Sequence, residues 1–336
     1  GSDFTFPSQN VSLFSESLIP ISSCWYVTPG VRYEYIRTEN SGYYYSETRH
    51  PLTQEVLSQE QINSSAVNPR SLLLFGLGTT YRCFDDIEIY GNVSQNYRAI
   101  NFSDVRVVNT NLLVDSNLTD EKGCSADLGF RGKLLKGTLI IDASLFLMRY
   151  NNRIGQVQKV VADNSIKLVR TNIADAQFLG IELFEELDFV KLMAPKQTWK
   201  LTWFNNIALV DVRYLADNEK VFANNRVENV PAVNYKTGLS LKTKSTGFGL
   251  QLNHVSNQFT DASNAEFYPD ATVGVIPAYT VLDFSASYTW KRFTLEGSIN
   301  NLTDRIYFTR RATGYPGPGI IPAERRMFFF TLQITI

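Results

Sequence analysis

Residues 281–290 read VLDFSASYTW and carry the clearest strand pattern of the chain. From residue 282 onward, the even-numbered positions are Leu, Phe, Ala, Tyr and Trp, whereas the odd-numbered positions are Asp, Ser, Ser and Thr. Because successive side chains of a β-strand point to opposite faces, this pattern predicts a strand with one apolar and one polar face. The alternation resumes in FTLEGSIN at residues 293–300, after Lys291-Arg292, which predicts a β-hairpin.

The same alternation recurs along the chain and gives about thirteen predicted strands. Their connections alternate strictly between short turns and long loops of roughly 15 to 30 residues, as in an antiparallel up-and-down transmembrane β-barrel. A Greek-key sandwich, the competing fold, mixes loop lengths. The polar face includes Lys236, Asp283 and Glu296, and these charged side chains suit the water-filled lumen of a barrel better than the dry core of a sandwich. The short turns are expected near Pro20, Asp85, Lys136, Pro195, Ser245 and Lys291.

Composition narrows the class of protein further. The 336 residues are 44% hydrophobic and 19% charged, which excludes disordered, collagen-like and coiled-coil chains. Lys plus Arg number 32 against 33 Asp plus Glu, so no nucleic-acid partner is expected. No apolar run is long enough for a membrane-spanning helix, although strands of about 9 to 11 residues also cross a bilayer. Gly1 and Ser2 are interpreted as a vector scar, and residues 3–336, which show no export signal, as a fragment.

The three cysteines, Cys24, Cys83 and Cys124, fit no zinc-ligand spacing, and no metal site is expected. Three structural thiols are the preferred interpretation. In the predicted topology, however, Cys24 and Cys83 lie near the same ends of adjacent strands, so a disulfide between them is geometrically possible.

Short motifs fall at the ends of the predicted strands. They are TPGVRYE at 28–34, SQNYRA at 94–99, FSD at 102–104, Asn172 with GIE at 180–182, Val230-Pro231, NLTDRIY at 301–307, and GYPGPGIIP at 314–322 with Arg326. In this order they resemble the motifs of TonB-dependent outer-membrane receptors, and most of all the ferric-citrate branch of that family. The resemblance covers essentially the whole chain. One departure is Ile336, where an aromatic residue is usual in bacterial barrels.

The resemblance implies a 22-stranded barrel whose lumen is blocked by a plug. This chain is then a partial barrel domain of about thirteen carboxyl-terminal strands, without the plug, the TonB box and the first strands. The implied function is import of an iron chelate, ferric citrate or another siderophore, across the cell outer membrane by TonB-energised gating. The implied partners are the chelate, TonB through the missing amino-terminal region, and outer-membrane lipid. Iron travels as the chelate, so no cofactor is expected.

A citrate-type chelate is anionic, so its receptor needs cationic side chains at the outer mouth. Arg98 is the first candidate, because it lies where a strand enters a long loop. The alternative is a structural Arg98 tied to Asp104 or to a neighbouring strand. Further candidates are Arg310 and Arg311, in the last loop, and Arg153, which flanks an earlier loop together with Arg170. The competing role for these four arginines is solvation of a loop or contact with anionic lipid.

Two further sets of residues have expected roles. Tyr44, in the run Tyr43-Tyr44-Tyr45, is a candidate for contact with the organic rim of a chelate, against the alternative of a self-packed loop. Arg32 and Glu34 lie one pleat apart and are expected to form a salt bridge low in the lumen, where the plug would meet them.

The alternative functions are a passive porin or surface barrel and, less favoured, an outer-membrane hydrolase. A hydrolase needs a nucleophile, a base and an orienting acid at one place. His50 and His254 are the only histidines, and neither has a Ser or Asp at a convincing spacing. His254 falls on the apolar side of its strand. The chain is therefore not expected to be an enzyme, and no catalytic residue is predicted.

Overall fold

A computed structural model describes residues 2–49, 55–84, 86–105, 112–160, 166–215, 222–267, 271–312 and 319–335. Five features named above, Gly1, His50, Asp85, residues 314–318 and Ile336, lie outside this part of the chain.

The described residues form twenty strands, two short α-helices and one 3-10 helix. The helices are α1 (Phe102–Val105), α2 (Phe189–Met193) and the 3-10 helix Leu135–Gly137. The strands are β1 (Ser2–Thr5), β2 (Ser8–Glu16), β3 (Ile19–Pro20), β4 (Trp25–Arg49), β5 (Val56–Phe84), β6 (Ile87–Arg98), β7 (Leu112–Val114), β8 (Glu121–Leu134), β9 (Leu139–Val160), β10 (Ile166–Asp188), β11 (Lys200–Tyr214), β12 (Val233–Lys242), β13 (Thr246–Val255), β14 (Gln258–Phe259), β15 (Val275–Ile276), β16 (Tyr279–Trp290), β17 (Phe293–Asn300), β18 (Phe308–Ala312), β19 (Gly319–Pro322) and β20 (Met327–Ile334).

One large sheet contains thirteen strands side by side, in the order β1-β4-β5-β6-β8-β9-β10-β11-β12-β13-β16-β17-β20. Strands β2 and β3 also pair with β4, so that β1, β2 and β3 together form the first edge of the sheet. Neighbours in this order are antiparallel and follow the chain without crossovers, so the predicted up-and-down sheet of about thirteen strands is confirmed. Strand β7 adds a short parallel pairing with β10, and β14-β15 and β18-β19 form small separate sheets.

The two faces of the sheet differ as the alternation predicts. Leu282 pairs with Leu252 and Phe284 with Leu250, and large apolar side chains on this face are exposed along the sheet. On the other face, Asp283 pairs with Gln251. An exposed apolar face is the arrangement that lipid stabilises, because the polar atoms of the backbone are paired between strands.

The ends of the sheet differ in the length of their connections. At the short-turn end, β8 and β9 join through the 3-10 helix, and β16 and β17 join through Lys291-Arg292. The connection near Pro195 is longer than predicted, because residues 189–193 form α2, which is capped by the Asp188 carboxylate. Neither described α-helix is long or apolar enough to cross a membrane.

At the long-loop end, strands replace much of the predicted loops. Strand β4 has 25 residues, β5 has 29, β9 has 22 and β10 has 23, far more than a bilayer crossing requires. Continuing the ladder satisfies backbone N–H and C=O groups that a free loop would leave to water. The expectation of a loop at Tyr43–Tyr45 is therefore wrong, since these residues lie in β4. Arg153 and Arg170, which were expected to flank a loop, lie within β9 and β10.

The outer parts of the long strands and the connections beside them contain two clusters of buried residues, which together we call the loop roof. Its members are the buried residues Leu112, Val157, Leu168, Ile173, Ala174, Ala176, Val212, Tyr214, Val227, Ala262 and Val273. Because they come from β7, β9, β10, β11 and the connections that follow β11 and β14, the long-loop end is a packed structure.

A disulfide joins Cys24 and Cys83 at the short-turn end, with their Cα atoms 4.9 Å apart. The pairing of Trp25 with Tyr81 brings the two cysteines together, and Arg82 N–H donates to the Cys24 carbonyl at 2.8 Å. The preferred interpretation of three structural thiols is therefore wrong for this pair. Cys124 is a free, exposed thiol.

Candidate functional site

The candidate site is a set of ion pairs on the polar face, beside the loop roof. Arg98 ends β6, and Glu121 begins β8 directly opposite. The Arg98 guanidinium donates from Nη1 to Glu121 Oε1 at 2.9 Å and from Nη2 to both Asp104 carboxylate oxygens, at 2.7 and 2.9 Å. Arg153 Nη1 donates to the same Glu121 oxygen at 2.7 Å. The structure therefore brings together two of the predicted site arginines, and the interaction of Arg98 with Asp104 is observed.

Both carboxylates of this cluster are buried. Glu121 is 1% exposed and Asp104 is 4% exposed, whereas 34% of the Arg98 side chain remains accessible. Buried carboxylates require partners, and here the arginines and the Ile154 and Asn101 N–H groups supply them. Arg98 is the most accessible side chain of these ion pairs, followed by Arg153, which is 24% accessible.

Arg170 adds a third positive charge. Burial lowers the pKa of Arg170, the Asp104 carboxylate opposes this change, and Arg98 lowers the pKa further. Burial lowers the pKa of Arg153, but the Glu121 carboxylate, with smaller contributions from Glu228 and Tyr214, raises it above its usual value. Three guanidinium groups therefore lie around the Asp104 and Glu121 carboxylates, and we call these five residues the arginine cluster.

A further buried carboxyl group, that of Glu228, contacts Tyr214 of the loop roof and was not predicted from sequence. Glu228 Oε2 accepts from the Tyr214 hydroxyl at 2.7 Å, and Glu228 Oε1 accepts from Gln156 N–H at 3.2 Å. Burial raises the pKa of Glu228, and burial together with the Glu228 carboxylate raises that of Tyr214. The sequence signal is weak, since Glu228 lies in the run VENV at 227–230, where only the outer two residues are apolar.

The tyrosine that precedes Arg98 has a structural role. The Tyr97 hydroxyl donates to Asp120, which also pairs with Arg70 and accepts from Ile100 N–H at 2.8 Å. Arg70 in turn donates to Thr38 Oγ1 at 2.7 Å. The connection after β6 is thus fixed by two carboxylates, Asp104 and Asp120.

The remaining candidate residues, Arg310, Arg311 and Tyr44, make their observed contacts elsewhere in the structure. Arg310 and Arg311 lie in β18, and Arg311 donates to the carbonyls of Ala271 and Val275 at 2.8 and 2.9 Å. Tyr44 lies in β4 opposite Ile62, and its neighbours Tyr43 and Tyr45 form an edge-to-face pair.

Two further expectations are met. Arg32 and Glu34 form a salt bridge of 3.2 Å on the polar face. His254 shares the apolar face with Leu252, and His254 Nδ1 lies 2.8 Å from Thr280 Oγ1. Within the described ranges, no group of three or more His, Cys, Asp or Glu side chains is placed to hold a metal ion.

The family model of the TonB-dependent receptor-like β-barrel matches residues 2–302, so the chain belongs to that family. A comparison with curated proteins finds no match.

Solved structures with a similar fold include the ferric citrate transporter FecA in its unliganded form, at 20% identity and a TM-score of 0.72, covering 99% of this chain and 46% of that one. The ferric yersiniabactin uptake receptor FyuA from Yersinia pestis gives 18% identity and a TM-score of 0.73, covering 99% and 46%. The siderophore receptor PiuA from Acinetobacter baumannii has 17% sequence identity and a TM-score of 0.71, and the match covers 99% of this chain and 44% of that one. At these identities the likeness concerns the fold, and the chain spans about half the length of these structures.

Proposed function

We propose that this chain is the carboxyl-terminal part of the barrel of an outer-membrane receptor that imports an iron chelate, either ferric citrate or a siderophore. Family membership and the exposed apolar face support a membrane barrel. The solved receptors of similar fold are named for ferric citrate, ferric yersiniabactin and siderophores. Transport, not catalysis, is the proposed activity, energised by TonB through a region outside this chain.

The observation that carries the proposal is the arginine cluster at the long-loop end of the polar face. A citrate-type chelate presents carboxylate oxygens, and a guanidinium matches a carboxylate with two parallel N–H donors. The Arg98 side chain is 34% accessible, and Asp104 and Glu121 hold its guanidinium group in place. Preorganised donors lower the cost of ordering side chains when the ligand binds.

The proposal is tested by titrating ferric citrate, ferric hydroxamate chelates and haem into the complete purified receptor in detergent. Quenching of tryptophan fluorescence reports binding of the iron complexes. Saturable binding of at least one iron complex, weakened by raised salt and by Arg98→Ala, is expected. A passive porin shows no saturation with any of them, and that result would remove the assignment.

A further inference from the structure

A row of polar side chains crosses the apolar face of the sheet at its long-loop end. The register places Arg149 of β9 opposite Cys124 of β8 and opposite Gln177 of β10. On β11, Arg213 is opposite Gln177, and an isolated bridge sets Arg226 opposite Arg213. Directly opposed residues of antiparallel segments point to the same face, so these five side chains form one row, which we call the outer row.

The same face is apolar immediately below the outer row. Leu147 and Leu179 oppose each other next to it, and Leu145 opposes Ile181 one pleat nearer the short turns. Each of these four side chains is between 41 and 53% exposed. On β9 the face therefore changes from leucine to arginine within a single pleat, as a lipid-facing surface does where acyl chains give way to headgroups.

The outer row lies at the depth where a bilayer ends. From Leu139, where β9 begins, to Arg149, the strand has about the 9 to 11 residues that a tilted transmembrane strand needs for one crossing. Short turns lie on the periplasmic side of bacterial barrels. The outer row is therefore at the level of the headgroups of the outer leaflet.

Four cationic side chains lie in the outer row or beside it. They are Arg149, Arg213 and Arg226 in the row, and the exposed Lys122, which follows Cys124 on the same face of β8. Two carboxylates are close to them, Asp175 at 3.4 Å from Arg149 and Asp211 at 3.0 Å from Arg213. Among the described residues of this patch, positive charge is therefore in excess.

Both of these ion pairs are open to solvent. The Arg149 side chain is 53% accessible and the Arg213 side chain is 46% accessible. Exposed ion pairs of this kind contribute little free energy, so a more highly charged anion can compete with the carboxylates for the guanidinium groups. One strand separates the two arginines, which sets their backbones about 10 Å apart, the width of a headgroup that carries more than one phosphate.

We propose that the outer row binds the phosphate monoesters of a glycolipid of the outer leaflet, whose acyl chains lie on the leucines below the row. A phosphate monoester carries a charge of about −1.5 to −2 at pH 7, and guanidinium groups bind it through parallel N–H donors. A phosphodiester lipid presents less charge to the same row. The inference goes beyond chelate import, since it rests on the proposed outer-membrane location and on no property of the chelate.

The test measures lipid binding to the complete receptor in detergent by native mass spectrometry. The probes are diphosphoryl lipid A, which carries two phosphate monoesters, and phosphatidylglycerol, a phosphodiester. The unmodified receptor is expected to bind lipid A at least tenfold more tightly than phosphatidylglycerol. The double variant Arg149→Gln, Arg213→Gln is expected to lower this preference to less than threefold.

Arg37→Gln is the matched control. Arg37 lies at the long-loop end of β4 on the same face as the exposed Val31 and Tyr33, and, like the arginines of the row, it has a carboxylate partner, Glu39 at 2.6 Å. Its side chain is 40% accessible. Removing this charge is expected to change the preference for lipid A less than twofold.

The failure of this inference is distinguishable from that of the proposed function. Equal affinity of the unmodified receptor for the two lipids would overturn the inference, and so would a preference that survives in the double variant or falls as far in Arg37→Gln. None of these results affects chelate binding by the same preparation. A receptor that prefers lipid A through the outer row and binds no iron chelate would refute the proposed function alone.

Discussion

Arg98 and Asp104 form a two-point ion pair, in which one guanidinium nitrogen lies 2.7 and 2.9 Å from the two carboxylate oxygens. The pair connects the end of β6 to α1, and the buried Glu121 holds the other side of the same guanidinium. Arg98 therefore both anchors the connection after β6 and presents a charged edge to solvent.

The energetic coupling of this pair is measurable. Arg98→Ala leaves two buried carboxylates with fewer partners, and Asp104→Ala removes one of them. We expect a coupling energy of about 1 to 3 kcal/mol in a double-mutant cycle on the free energy of local opening. Hydrogen exchange of the amides in residues 99–105 measures it. A coupling near zero would show that the ion pair does not hold the connection.

The ranking of the arginines is tested by uptake. Arg98→Ala is expected to reduce chelate uptake at least tenfold, and Arg170→Ala much less, because Arg98 is the arginine that meets both carboxylates and keeps an accessible edge. Uptake of labelled ferric chelate by cells that produce equal amounts of each variant measures the effect. Equal losses in both variants would leave the cluster without a preferred contact residue.

Buried Glu228 predicts a pH dependence of the loop roof. Its pKa is raised above the ordinary value of 4.5, so its contribution to stability is complete below pH 4.5 and is lost as pH rises through the raised pKa. The charged and titratable groups that act on it are Arg153 from β9 and Tyr214 from β11. Each unit of increase in the pKa corresponds to about 1.4 kcal/mol.

Glu228→Gln keeps the shape and hydrogen-bonding capacity of this side chain and cannot ionise. Thermal unfolding in detergent between pH 4 and pH 8 is expected to show a loss of stability in the unmodified protein that the variant lacks. Asp211→Asn, at an exposed salt bridge, is the control. Parallel pH profiles for the unmodified protein and Glu228→Gln would contradict the assignment.

The sheet was predictable where one face must be apolar. Alternation at residues 281–290 is the signal of a strand between lipid and a polar lumen, and β16 and β17 appear where it predicts them. Beyond the bilayer that requirement ends, and β5 carries polar residues on both faces at positions 63–65. The periodic signal fades there although the backbone ladder continues, so Tyr44 was expected in a loop and Arg153 beside one.

The site was predictable only in part, because its partners are distant in sequence. Asp104 lies six residues from Arg98 and was recognised as its alternative partner. The contact of Arg153 with Glu121 depends on the register of β8 with β9, which alternation alone does not give. Glu228 reaches Tyr214 through a connection whose path has no periodicity.

The disulfide at the short-turn end predicts a further stability effect. Cys24 and Cys83 are 59 residues apart, and closing a loop of that length stabilises the folded state by about 4 kcal/mol in the chain-entropy model. The double variant Cys24→Ser, Cys83→Ser is expected to unfold at a lower urea concentration in detergent. Cys124→Ser is the control, since this thiol is free. An unchanged midpoint in the double variant would show that the bond adds no constraint.

The contacts of Asn301 explain why the motif at 301–307 begins with a residue that has an amide side chain. It is 3% exposed, its φ is 53°, and its carboxamide accepts from Arg305 N–H at 2.7 Å and donates to the carbonyls of Arg305 and Glu324. Its own N–H donates to the Asp283 carboxylate at 2.8 Å. The side chain therefore closes the turn after β17 and joins it to the segment before β20.

Replacing this residue separates its two contributions to stability. Asn301→Ala is expected to cost about 2 to 4 kcal/mol, because buried backbone groups lose their partner and Ala is strained at positive φ. Asn301→Gly loses the same hydrogen bonds without that strain, so its cost is smaller. Thermal unfolding in detergent ranks the two against Asn300→Ala, whose side chain is exposed. If Asn301→Gly proves less stable than Asn301→Ala, the left-handed backbone is not what selects Asn, and the turn must be held by its hydrogen bonds alone.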